Sequence, residues 1–281
     1  MICYQLIRFR DMKLLKQILN FYLNSSIHVA LSCYALVRIT FHVFHIQYDE
    51  PMALFVFFGT IVGYNFVKYD ALVRVKKNPI GIQLKIIAVL SFISLLLVGY
   101  HFFHLKQITQ IVSVIIFLIT ALYTLPFFPN RRNARNWAGV KIYIVALCWV
   151  GATLVLPLIN AEIPFTTDFF IKCIQRFVLV FVLILVFEII DLANDDPHLQ
   201  TVPQTIGVKK TKFLGLSLLV PFWFLEIFIS TFNYHDAFIN LIMVIMLMLF
   251  IIFANPNRSK YYTSFWVEAV PIFWWLMVVF L

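Results

Sequence analysis

The sequence predicts an all-α membrane domain that crosses the bilayer about nine times, and three observations lead to that expectation. Hydrophobic residues make up 62% of the 281 and charged residues only 12%, against about 25% charged in soluble domains. Apolar runs close to the roughly 20 residues that a spanning helix needs recur along the whole chain. Lys and Arg gather in alternate connecting segments, the distribution expected of cytoplasmic loops. So little polar sequence cannot coat a water-soluble body of this size, which excludes the soluble enzyme classes.

The stretch Met1 to Asn24 mixes charge with isolated apolar residues and lacks the apolar core and small-residue cleavage site of a signal peptide. Residues 1–25 therefore read as a cytoplasmic amino-terminal segment, and the first span is expected to stay in the mature protein. The spans fall at 27–46, 51–69, 83–103, 107–126, 140–159, 169–190, 213–232, 236–254 and 263–281. None of them alternates with period 2, and an open sheet in lipid would leave backbone groups unpaired. The connections are short, so 1–281 reads as one membrane domain.

Orientation follows from the basic residues. Arg8, Arg10, Lys13 and Lys16 precede span 1, and Lys68, Arg74, Lys76, Lys77 and Lys85 flank the link from span 2 to span 3. Arg131, Arg132, Arg135 and Lys141 separate spans 4 and 5, Lys209, Lys210 and Lys212 precede span 7, and Arg258 and Lys260 separate spans 8 and 9. The alternate loops carry almost no basic residues. A multi-pass protein of the cell membrane is expected, with a cytoplasmic amino terminus and, from the odd number of spans, an external Leu281. The net charge of +9 is thereby a topology signal, and no nucleic-acid partner is expected.

Some polar residues lie inside or beside the apolar runs. Arg38 and Arg176 fall within spans 1 and 6, where a charge must pair, snorkel or face a polar cavity. Two HxxH pairs, His42 with His45 and His101 with His104, sit near the outer face; the spacing puts two imidazoles on one helix side and could ligate a metal, but no Cys or carboxylate is expected to join them, and they read as interfacial residues. Cys3, Cys33, Cys148 and Cys173 form no CxxC pair, and read as small core residues.

The chemistry-bearing segment is FEIIDLANDDPHLQTVPQTIGVKKTK, at the cytoplasmic end of span 6. Glu188, Asp191 and Asp195 are spaced i, i+3, i+7 and would share one face of a continuing helix. Adjacent Asp196 adds a fourth carboxylate before Pro197 ends the helix. Carboxylates at a helix carboxyl end repel one another and oppose the macrodipole, which calls for a compensating cation. Magnesium suits this set, because it bridges one or two carboxylates to substrate phosphates; a solvated acidic turn is the alternative. Lys209 and Lys210 could clamp phosphate or serve only as topology signals. Span 2 ends on the same side with Asn65, Lys68 and Tyr69 at i, i+3, i+4, and the link YTLPFFPNRRNARNWAGVK adds Tyr123, Arg131 and Arg132.

With these motifs the chain resembles the UbiA superfamily of intramembrane prenyltransferases over nearly its whole length. ExxDxxxD followed by TVPQTIG is similar to the family's second Asp-rich motif, with Glu188, Asp191 and Asp195 in the acidic places and Thr201, Pro203 and Gly207 in the tail. The first motif of the family, N-D-x-x-D-x-x-x-D, is represented by Asn65 alone. Phe66, Tyr69 and Val73 stand where aspartates are expected, and Asp70 is one residue out of register.

The resemblance implies a UbiA-like helical bundle that takes an isoprenoid diphosphate from the lipid bilayer and transfers the prenyl group to an apolar or aromatic, lipophilic acceptor. It implies magnesium held by Glu188, Asp191 and Asp195. Asp191, Asp195, Asn65 and Lys68 are the expected catalytic residues, the Lys68 ammonium standing in for a lost metal contact. Tyr69, Tyr123, Arg131, Lys209 and Lys210 are expected to bind substrate. A non-catalytic protein on the same scaffold, binding or transporting an isoprenoid lipid, is the rival reading.

Overall fold

The computed structural model of the chain describes residues 14–75, 81–124, 139–195, 199–230 and 232–281. Among them every regular element is helical: α1 (Leu14–Asn24), α2 (Ile27–Val43), α3 (Glu50–Val75), α4 (Ile82–Phe102), α5 (Gln107–Thr124), α6 (Val140–Val150) and α7 (Leu156–Asn160). They are followed by α8 (Thr167–Asp191), α9 (Val202–Ile206), α10 (Val208–Phe224), α11 (Tyr234–Phe253) and α12 (Val270–Phe280). Single-turn π segments at Gly151–Val155 and Tyr262–Val267 join α6 to α7 and lead into α12.

All nine predicted segments are helical where they are described, and a count of nine spans is not reached among the described residues. Among the described residues seven helices are long and apolar enough to cross a bilayer, or eight if a bent pair counts as one span. That pair is α1 with the 17-residue α2, bent by 56° at Ser25–Ser26. Ser26 adopts a left-handed φ of 61°, which breaks the helix where the sequence predicts a fresh span. The other shortfall is span 4, a shorter apolar helix over Gln107–Ala121, whose predicted end at 125–126 lies outside the described residues.

α8 is the central helix. Its long run of buried side chains, from Val178 to Ile190, packs against α6, α10 and α11. Leu36, Leu179, Val182, Leu219, Phe222, Met243 and Leu247 form the middle of the core. α4 lies at the periphery, with Ile82, Val89, Phe92 and Leu96 exposed on the surface that acyl chains would solvate.

The break between α6 and α7 has a local cause. Pro157 has no N–H to return to the Thr153 carbonyl four residues back. Thr40 of α2 supplies the donor instead, with its Oγ1 2.7 Å from that oxygen. Arg176 of α8 completes the junction, donating to Thr153 Oγ1 at 2.8 Å, Leu36 O at 3.2 Å and Thr40 Oγ1 at 3.3 Å. The buried guanidinium therefore ties α2 and α8 to the π turn, the pairing that an intramembrane charge requires.

Candidate functional site

The acidic motif forms where α8 leaves the core. Ile190 is buried and Asp191, the last helical residue, is exposed. The N–H groups of Asn194 and Asp195 both donate to Asp191 O, at 2.8 and 2.9 Å. Asp195 is thus held one turn beyond Asp191, close to the continuing helix expected from the spacing. Neither aspartate carboxylate accepts a hydrogen bond among the described residues.

Glu188 has a different part. It is 4% exposed, and its Oε2 accepts the Val202 N–H at 3.0 Å. Val202 opens α9, which would otherwise leave that donor unpaired; Thr201 N–H is satisfied by Gln204 Oε1 at 3.0 Å. Gly207, at φ +81°, then turns the chain from α9 into α10, a conformation that disfavours any residue with a Cβ. The TVPQTIG tail is therefore a short helical turn docked onto α8 by Glu188, whose other carboxylate oxygen has no hydrogen-bond partner among the described residues.

These donors fit magnesium in part. Asp191 and Asp195 offer hard oxygens from adjacent turns, which suits an ion that keeps water and phosphate ligands. Among the described residues no three His, Cys, Asp or Glu side chains stand close enough to hold a metal by themselves. Asp196 lies outside the described residues. Among the described residues Lys141, at the start of α6, is the positive charge that acts on both Glu188 and Asp191.

The face formed by Asn65, Lys68 and Tyr69 meets the bend between α1 and α2. Asn65 is buried, accepting from Ser26 Oγ at 2.8 Å and donating to Ser25 O at 3.1 Å and Ser91 Oγ at 2.9 Å. Tyr69 OH and Lys68 Nζ donate to Asn24 O, at 2.7 and 3.3 Å. These residues satisfy backbone groups that the bend releases from α1 and α2. The charges that act on Lys68 are Glu268 and Lys260, whereas those that act on Asp191 are Asp195 and Lys141. The two candidate motifs consequently have separate sets of charged partners.

Lys209 and Lys210 are exposed in the first turn of α10 and make no ion pair among the described residues. The side chain of Tyr123, the side chain of Asp70 and all of Arg131 and Arg132 lie outside the described residues. Arg38 donates to Tyr34 OH at 3.2 Å, and its guanidinium lies 4.3 Å from the Tyr48 ring centroid and 5.3 Å from that of Trp275. His101 is buried in a stack with Phe58, and His104 bonds to Tyr100 O. For His42 the expected absence of a neighbouring carboxylate needs correcting: α11 brings Asp236 Oδ1 to 3.9 Å from its Nε2.

Four charged residues to which the structure gives a part carry no distinctive sequence signal. Lys141 is indistinguishable from a topology lysine, and Glu268 is a lone acid in an apolar run. Lys172 and Glu226 are 54 residues apart yet form a buried ion pair, with Nζ 3.0 and 2.9 Å from the two carboxylate oxygens.

No protein-family model matches the sequence, and no curated protein is significantly similar to it. Solved structures do share its fold. A UbiA homologue from Aeropyrum pernix K1, in its apo form, superposes with a TM-score of 0.67 at 13% identity, covering 90% of this chain and 98% of that one. A digeranylgeranylglyceryl phosphate synthase superposes with a TM-score of 0.57 at 14% identity, covering 94% and 96%. The chain is an all-helical, multi-pass membrane protein. Its fold is that of the UbiA superfamily.

Proposed function

We propose that the protein is an intramembrane prenyltransferase that takes an isoprenoid diphosphate and a lipophilic acceptor from the bilayer. The observation that carries this reading is the pair of unspent carboxylates, Asp191 and Asp195, at the end of the central helix of a UbiA fold. Asp191 and Asp195 would hold magnesium, with Glu188 fixing the TVPQTIG turn beside them. When bound, magnesium supplies positive charge for the diphosphate leaving group. Lys141 reinforces that charge, and Lys209 and Lys210 extend it along the rim as point charges for phosphate oxygens. Allylic cations are hydrolysed by water, so the surrounding apolar bundle favours transfer to the acceptor. The basic residues support an orientation with this rim and the amino terminus in the cytoplasm. Labelling of cysteines placed in 192–212 from outside intact cells would reverse that orientation.

The direct test incubates membranes containing the protein with labelled geranyl, farnesyl and geranylgeranyl diphosphates, with and without magnesium. Magnesium-dependent transfer of label into a lipid product is expected. Magnesium-independent binding without product supports the second reading, a non-catalytic isoprenoid-lipid binder. Asn65 favours that second reading, because its amide is engaged with Ser25, Ser26 and Ser91. Asn65→Ala is expected to lower stability by about 1 to 3 kcal/mol for each buried polar group left unmet, read as thermal unfolding in detergent. A catalytic Asn65 instead predicts unchanged unfolding with lost turnover.

A further inference from the structure

At the end of the bundle opposite the acidic motif, a cavity of about 110 Å³ lies among α2, α8, α11, α12 and the short 3₁₀ turn Leu225–Phe228. Asp191 and Lys172 sit near opposite ends of α8, about 28 Å apart along its axis at 1.5 Å per residue. The cavity is thus remote from the proposed transferase site. Its inner wall carries Lys172, Glu226 and Asn240, all at least nine-tenths buried, together with the Trp274 ring. Asp236 and His42 stand at the mouth, their side chains 34% and 48% exposed.

The polar inventory of the cavity is incompletely satisfied. Lys172 and Glu226 neutralise each other, and Gln175 Nε2 adds a third bond to Glu226 at 2.9 Å. Arg176 lies behind Trp274, its guanidinium 6.0 Å from the ring and spent on Leu36, Thr40 and Thr153. Of the two carboxylates that line the cavity, Glu226 is paired with Lys172, whereas Asp236 has no Lys or Arg partner among the described residues; Arg176, outside this lining, keeps its own positive charge. The Asp236 carboxylate accepts no hydrogen bond among the described residues; His42 and His235 approach it only to 3.9 and 3.6 Å. Asn240, one turn further along α11 and 4% exposed, has a side-chain amide with no hydrogen-bond partner among the described residues. Its amide atoms are not sealed off, so they open onto the cavity and are available to a polar occupant.

We propose that this cavity binds a primary ammonium group, carried by an aminophospholipid head group or by a free small amine. Asp236 supplies the countercharge, Asn240 Oδ1 accepts a second N–H, and the Trp274 face offers a cation–π contact. A bare metal ion suits the site less well, since no three His, Cys, Asp or Glu side chains among the described residues could hold one. N–H donation is the chemistry that separates a primary ammonium from a quaternary one here.

The test titrates the full-length protein in detergent with dihexanoyl-phosphatidylethanolamine, dihexanoyl-phosphatidylcholine and ethanolamine, followed by calorimetry and thermal stability. Saturable binding of the ethanolamine lipid is expected, with about tenfold weaker binding of the choline lipid and about tenfold weakening in Asp236→Asn and in Asn240→Leu. Additional binding of free ethanolamine identifies a small-amine site, and binding of the lipid alone identifies a head-group site. Equal binding of both lipids, unchanged affinity in the variants, or no saturable binding of either amine would overturn the proposal. Asp236→Asn, at the exposed mouth, keeps the test valid if Asn240→Leu does not fold. Asp191→Asn serves as the control in which amine binding is retained.

Discussion

Lys172→Met should cost the protein roughly 3 to 5 kcal/mol of stability, because it strands a buried carboxylate without its counter-ion. Glu226 is 5% exposed and receives two hydrogen bonds from Lys172 Nζ and one from Gln175. Met keeps most of the lysine stem's volume, so the loss reports the charge and not a cavity. The double variant Lys172→Met with Glu226→Gln removes both charges and should recover most of the deficit, since a buried pair stabilises little over a neutral isosteric arrangement. Unfolding of the four proteins in mixed micelles yields the coupling energy. A double variant as unstable as Lys172→Met alone would show that packing, and not charge, dominates at this position.

Asp191→Asn should weaken magnesium-dependent binding of prenyl diphosphate about ten- to hundredfold, the equivalent of a lost charged contact of roughly 1.5 to 3 kcal/mol. Asparagine preserves shape and some hydrogen bonding, and Asp191 is exposed at the end of its helix, so the bundle should fold and insert normally. A solvated acidic turn predicts the opposite result. Removing one of two adjacent charges at a helix carboxyl end relieves repulsion and slightly stabilises the protein, leaving ligands unaffected. Melting curves of wild type and Asp191→Asn, with and without magnesium plus geranylgeranyl diphosphate, separate the two. Identical ligand-induced stabilisation in both proteins would remove Asp191 from the site.

The helical spans were legible in the sequence because lipid imposes a one-dimensional rule. Without water to satisfy the backbone, each crossing must be a long apolar helix, and all nine predicted segments are indeed helical where they are described. Helix breaks were harder to foresee. The left-handed Ser26 and the π turn beside Pro157 interrupt apolar runs without changing their composition, and each break is repaired by a residue far away in the chain. Asn65 repairs the first and Thr40 the second.

The candidate site divides in the same way. The acidic residues could be recognised from the sequence, since three carboxylates at helical spacing stand out against apolar neighbours. Their individual parts could not be, because Glu188, Asp191 and Asp195 are alike in spacing and charge. Only the folding of Val202 back onto α8 distinguishes a carboxylate committed to a helix terminus from two that remain open. Asn65 matches a motif position yet is taken up by serines of α1–α2 and α4, while Lys172 with Glu226 and Asp236 with Asn240 match no motif at all. Composition and charge spacing specify a membrane-spanning helical chain with an acidic rim, because those properties act residue by residue along one axis. Which polar groups are paired and which stay open was decided by the tertiary structure, because a partner's identity depends on contacts between helices distant in sequence.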